Sequence, residues 1–259
     1  MNNERYSQAQ VLCGLREVWL DRIGMPATFE ADTRIDMYVK THGFGDECDL
    51  DVVCRGAEQL FGFTCSDKEW ADLFGLEIAK RNHREWEQSI APYLTFGAMA
   101  NFIADRAPVV ASFESITMLG RPCASAGIFT GIEKVAEKVI GERRFAPSSR
   151  IPDVIRGNDL ERFWTQLRWM TEDTVPELSG FWRGVTSYAL LFGLLVISLG
   201  IIGAKITSEL YLLVLSPVVA VAVYLLARFY KRLANPLPSH IASFRDLSVL
   251  IAESRSKAA

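Results

Sequence analysis

The chain has 259 residues, with 28 Lys or Arg against 31 Asp or Glu and a formal charge of −3. That near-neutral balance, without a dense run of Lys and Arg, excludes the electrostatic footprint of a nucleic-acid binder. The length admits one large domain or two small ones plus a membrane segment. The five cysteines (Cys13, Cys48, Cys54, Cys65, Cys123) and three histidines (His42, His83, His240) lack metal-ligand spacing. They read as reduced thiols of a cytosolic compartment, with no metal or cofactor expected.

The N-terminus, MNNERYSQAQ, lacks the apolar core of a signal peptide, so the soluble part is expected to stay unexported. Residues 7–23 show helical periodicity, with Val11, Leu12, Leu15, Val18, Trp19 and Ile23 on one face and Ser7 as N-cap. A loop is expected from Gly24 through His42 to Gly45. Asp46 then caps a helix that carries Leu50, Val53, Cys54, Ala57, Leu60 and Phe61 inward and stops at Gly62. Ser66 and Glu69 form a capping box ahead of Trp70, Leu73 and Phe74, and the charged stretch 78–90 is helical. Thr95 opens FGAMANFIADRA. Val109 to Met118 is a strand or loop. Ala124–Ile140 and Asp159–Glu172 are amphipathic helices, so the fold class is mostly α with little or no sheet.

Two charge-free apolar runs follow, 184–204 and 210–227, joined by the polar turn KITSE. At about 1.5 Å per residue they span roughly 31 and 27 Å, close to a hydrocarbon core of about 30 Å. They read as a transmembrane hairpin at 184–227. Arg183 before it and Arg228, Lys231 and Arg232 after it put both termini on the cytoplasmic side of the inner membrane. Pro217 falls inside the second run. Small residues spaced by four (Ala189/Gly193, Gly200/Ala204, Ser216/Ala220) suit close helix approach. Arg143, Arg144, Arg150, Arg156, Arg162 and Arg168 precede the hairpin and read as attraction to anionic headgroups. In the tail, 233–259, Ile241, Phe244, Leu247 and Ile251 form an apolar face expected to lie on the membrane surface.

The order of elements over residues 7–105 resembles acyl carrier proteins. The carrying residues are ADTRI (31–35), GDECDLDVV (45–53), EQLFGF (58–63) and LTFGAMANFI (94–103). The resemblance implies a carrier-like helical bundle over 7–108, with 66–92 longer than the carrier pattern. It also implies a phosphopantetheine-bearing serine at the start of the second helix, where this chain has Glu47. A carboxylate cannot form the phosphodiester that a hydroxyl forms, so no cofactor is expected. FEADTRI (29–35) and FAPSSRI (145–151) share Phe, a hydroxyl, Arg and Ile at equal spacing. The region 120–178 is therefore a candidate degenerate second copy, one expected to break off where the chain enters the bilayer.

Asp46, Glu47, Asp49 and Asp51 form the densest acidic cluster, read as a cation site, as a docking patch for a basic partner, or as first-turn charges stabilising a helix. No nucleophile, P-loop or dinucleotide motif is present, so no catalytic residue is assigned. Two functions follow: a non-enzymatic membrane-anchored protein whose cytoplasmic helical part binds a protein partner, or a carrier-like accessory factor in lipid or acyl metabolism.

Overall fold

In a computed structural model of the chain, residues 5–42, 50–118, 120–207 and 211–258 are described. Among them are thirteen helices and one two-stranded ribbon, so the protein is mostly α. The chain divides into two compact units, 1–112 with 165–175 and 113–164 with 176–259.

The first unit begins with α1 (Gln8–Ile23), whose N-cap Ser7 forms a reciprocal capping box with Gln10. Helix α2 (Ile35–His42) occupies what the sequence suggests is loop. It has two turns and buries Ile35 and Tyr38, too short a stretch for periodicity to register. Helices α3 (Leu50–Phe61), α4 (Asp67–Phe74), α5 (Leu76–Arg81), α6 (His83–Ser89) and α7 (Phe96–Ala104) follow. The boxes expected at Ser66/Glu69 and the cap at Thr95 are formed. Helix α1 packs on α3 and α7. Trp19 sits fully buried at the centre, with the rings of Phe29, Tyr38 and Phe96 5.1–6.3 Å away. The segment 165–175 closes this unit rather than the second: the Trp169 ring lies edge-on to Tyr6 and Phe61, each at 4.9 Å. Arg168, grouped in sequence with the membrane-facing arginines, is instead buried and paired with Glu17 at 2.5 Å and Asp173 at 2.9 Å.

The second unit opens with the antiparallel ribbon β1 (Ile116–Met118) and β2 (Arg121–Cys123). Helix α8 (Ala124–Ile140) has the expected bounds. Helices α9 (Ile151–Val154), α10 (Gly157–Met170, shared by the two units), α11 (Gly180–Thr207), α12 (Tyr211–Leu233) and α13 (Phe244–Ala258) complete the chain.

One local device recurs in both units. In the first, the 29–35 loop is held to the start of α7 by three backbone bonds: Ile35 N–H to Leu94 O (3.0 Å), Phe96 N–H to Thr33 O (3.0 Å) and Gly97 N–H to Ala31 O (2.8 Å). In the second, Ile151 donates to Ala242 O (3.1 Å), Phe244 to Ser149 O (3.2 Å) and Arg245 to Pro147 O (2.7 Å). A hydroxyl folds each loop, Thr33 accepting from Glu30 N–H and Ser149 from Ala146 N–H. Each clamp is filled by a stacked ring pair, Phe29 on Phe96 at 3.6 Å and Phe145 on Phe244 at 4.1 Å. The preceding helices α1 and α8 both end at a glycine with positive φ, Gly24 at 79° and Gly141 at 73°, a conformation that penalises a Cβ.

Two sequence expectations change here. The second unit does not break off at the apolar hairpin: the chain returns, and α13 occupies the place that α7 holds in the first unit. The tail is not a surface-lying helix either. Ile241, Phe244, Leu247 and Ile251 are buried, and α13 packs on α8. An apolar stripe fixes that a face will be covered, and here protein covers it.

Candidate functional site

Helices α2 to α6 enclose an apolar groove of ≈ 500 Å³ in the first unit. Trp70, Phe74, Leu76 and Trp86 wall it, with Leu50 and Cys54 from the start of α3. The indoles are fixed from behind, Trp70 Nε1–H donating to Glu58 (2.8 Å) and Trp86 Nε1–H to Phe74 O (2.8 Å). Asp36, Asp51 and Asp67 stand along the groove. Arg34 holds Asp36 at 2.6 Å, while Arg55 links Asp51, Glu58 and Asp67.

Of the acidic cluster singled out in sequence, Asp51 is an exposed residue of this groove, 3.4 Å from Arg55. Asp46, Glu47 and Asp49 lie outside the described residues. Of the aromatic walls, Trp70 and Phe74 were legible in sequence as helix positions and Trp86, inside the charged stretch 78–90, was not, because their convergence depends on how α2, α3, α4 and α6 pack.

No Ser or Thr hydroxyl is among the described residues that line the groove. Its one thiol, Cys54, is pushed up to about 12 by burial, with Asp51 and Glu58 adding repulsion. It is neutral and unreactive near pH 7. His83 stacks on Trp86 and lies 3.4 Å from Glu87. His42 stacks on Tyr38 at 4.3 Å. Among the described residues no cluster of His, Cys, Asp and Glu is arranged to hold a metal. The groove presents apolar walls beside three carboxylates, Asp36, Asp51 and Asp67.

The second feature is the helical pair α11–α12. Both helices are long and apolar enough to cross a membrane, with mean hydropathies of 2.3 and 1.9, and only 11% of each span is buried. The buried share is a seam of small residues, Ala189, Ser216, Ala220 and Ala227. Gly193 sits so close that a Cβ there would meet Ala220 Cβ at 3.2 Å. Outward-facing Leu191, Leu194, Leu199, Val214, Val218 and Leu226 are exposed. At the foot of the pair, Lys231 is 5% exposed and bonds Glu161 at 2.5 Å, while its carbonyl accepts Trp182 Nε1–H at 3.1 Å. Arg183 approaches the same Glu161 at 3.7 Å. The hairpin is thus tied to α10 by an ion pair between a buried lysine and a half-buried glutamate.

Comparison with protein families, with curated proteins and with solved structures finds no match to this chain.

Proposed function

We propose that the protein is a non-enzymatic, two-pass protein of the cytoplasmic membrane. Its termini and the helices other than α11 and α12 lie on the cytoplasmic side, and the first unit binds a protein partner through the acid-lined groove and the acidic start of α3. The observation that carries the membrane part is the exposure of α11 and α12: a soluble protein's core hairpin is mostly covered, and these spans are 11% buried. Left in water, such a surface far exceeds the few hundred Å² of contiguous apolar patch that soluble monomers expose. Arg183, Arg228, Lys231 and Arg232 at the foot support the orientation.

The test is fractionation of cells expressing the full chain. It stays with membranes through high-salt and alkaline washes and is released by detergent. Recovery in the aqueous supernatant without detergent overturns the assignment.

A second reading, a carrier-like accessory factor, is favoured by one observation: the groove opens beside the start of α3, where the carrier resemblance places the arm. Intact-mass measurement after co-expression with a phosphopantetheinyl transferase decides it, and an unshifted mass ends it.

A further inference from the structure

The clamp loops of the two units carry an arginine at the same place, Arg34 and Arg150, bridged to Thr95 before α7 and to Ser243 before α13. Their surroundings differ. Two residues beyond Arg34 stands Asp36, which takes its guanidinium at 3.0 and 2.6 Å. Two residues beyond Arg150 stands Pro152, and Arg150 makes no side-chain hydrogen bond or ion pair among the described residues. A cation that is neutralised in one unit is left available in the other.

Arg150 borders a basin of ≈ 210 Å³ in the second unit, together with Arg156, Gly157, Arg232 and Asn235. Three arginines therefore line it with a single carboxylate, Asp153, which lies 3.4 Å from Arg156, and the Arg156 Nε–H also donates to the Pro152 carbonyl. Arg232, like Arg150, has no ion pair or hydrogen-bond partner among the described residues. The Asn235 Oδ1 accepts Leu237 N–H at 3.2 Å, which leaves its amide hydrogens to donate elsewhere. Gly157 opens α10, so the positive end of that helix dipole adds to the arginines. The ligand chemistry is that of a phosphate: compact, anionic and matched to forked guanidinium donors.

Position then narrows the source. Arg232 and Leu233 end the apolar span of α12, so the basin's rim is the place where a bilayer spanned by this helix changes from hydrocarbon to headgroup. We propose that the basin of Arg150, Arg156 and Arg232 is a binding site for a phosphate group, supplied by the headgroup of an anionic phospholipid. The lipid source rests on the membrane reading above; the phosphate chemistry does not.

The test uses the full chain in nonionic detergent. It is titrated with dihexanoyl phosphatidic acid, dihexanoyl phosphatidylcholine and inorganic phosphate, and binding is read from the shift in unfolding temperature. The acidic lipid binds saturably, and the double variant Arg150→Gln/Arg232→Gln weakens it roughly tenfold or more. The equal-charge control Arg144→Gln/Arg162→Gln, outside the basin, leaves it unchanged. If inorganic phosphate is much the weaker ligand, the lipid is the source; if it binds equally well, the site stands and takes a soluble phosphate ester. Equal binding of phosphatidylcholine, or equal weakening by the control, overturns the site. A chain found in the aqueous fraction that still binds phosphate through Arg150 and Arg232 loses the lipid and keeps the basin.

Discussion

The two units share a clamp and differ in what is inserted between its halves. Between α3 and α7 the first unit places three short helices, α4 to α6, and these wall an apolar groove beside Asp36, Asp51 and Asp67. Between α10 and α13 the second unit places the apolar pair α11–α12, whose foot borders a basin with Arg150, Arg156 and Arg232. The same backbone frame thus presents acids beside an apolar floor in one unit and bases at the end of an apolar span in the other. A clamp made of main-chain hydrogen bonds and one ring stack constrains little else of the sequence, which leaves the intervening segment free to set the chemistry.

The largest contrast to test is kinetic. Burial holds the thiols of Cys13 and Cys54 in the first unit up to about 12, whereas the Ser125 hydroxyl and the amides of Ala126 and Ser125 lower that of Cys123 in the second. At pH 8 iodoacetamide labels Cys123 on the order of a thousandfold faster than Cys13 or Cys54, read by peptide mapping; comparable rates break the contrast. Next come the clamp rings. Phe96→Ala and Phe244→Ala each cost about 3–5 kcal/mol in thermal or denaturant unfolding, and a loss below about 1 kcal/mol at either position breaks the equivalence of the clamps.

Each unit also pairs one buried cation with a glutamate, Arg168–Glu17 and Lys231–Glu161. Glu17→Gln and Glu161→Gln each leave a buried cation with a weaker partner and cost about 2 kcal/mol; unchanged unfolding temperatures argue against both locks. The smallest effect concerns the caps. Asp246 accepts the N–H groups of Ala242 and Ser243 at 3.0 and 2.8 Å, which lowers its pKa, whereas Ala98 holds the matching place in α7. Asp246→Ala makes the second cap like the first and costs about 1 kcal/mol at pH 7. Because the folded value is depressed, that contribution is complete above the unfolded value near pH 4 and fades as pH falls through the folded one. A difference between wild type and variant that persists under strong acid sinks the cap argument.

Much of the local structure was legible in the amino-acid order. Ser7, Ser66 and Thr95 cap helices because their hydroxyls precede helix-forming runs, and Ala124–Ile140 shows its stripe without interruption. Helices α2 and α9 were not, since eight and four residues carry too few turns for a period. The long-range partners were hidden for a different reason. Periodicity marks Phe244 and Leu247 as inward-facing and says nothing of α8, which lies beyond a hairpin's length of chain. The acidic lining was visible at Asp51, but its aromatic walls and the basin at Arg232 exist only once distant segments converge.

Placing the hairpin ahead of α13 also sets a timetable. The ribosome delivers residues from the amino end, so both greasy helices emerge before the Phe244 ring exists to settle on Phe145. The nascent second unit stays half built while α11 and α12 are made. Only then does the last helix arrive to shut it.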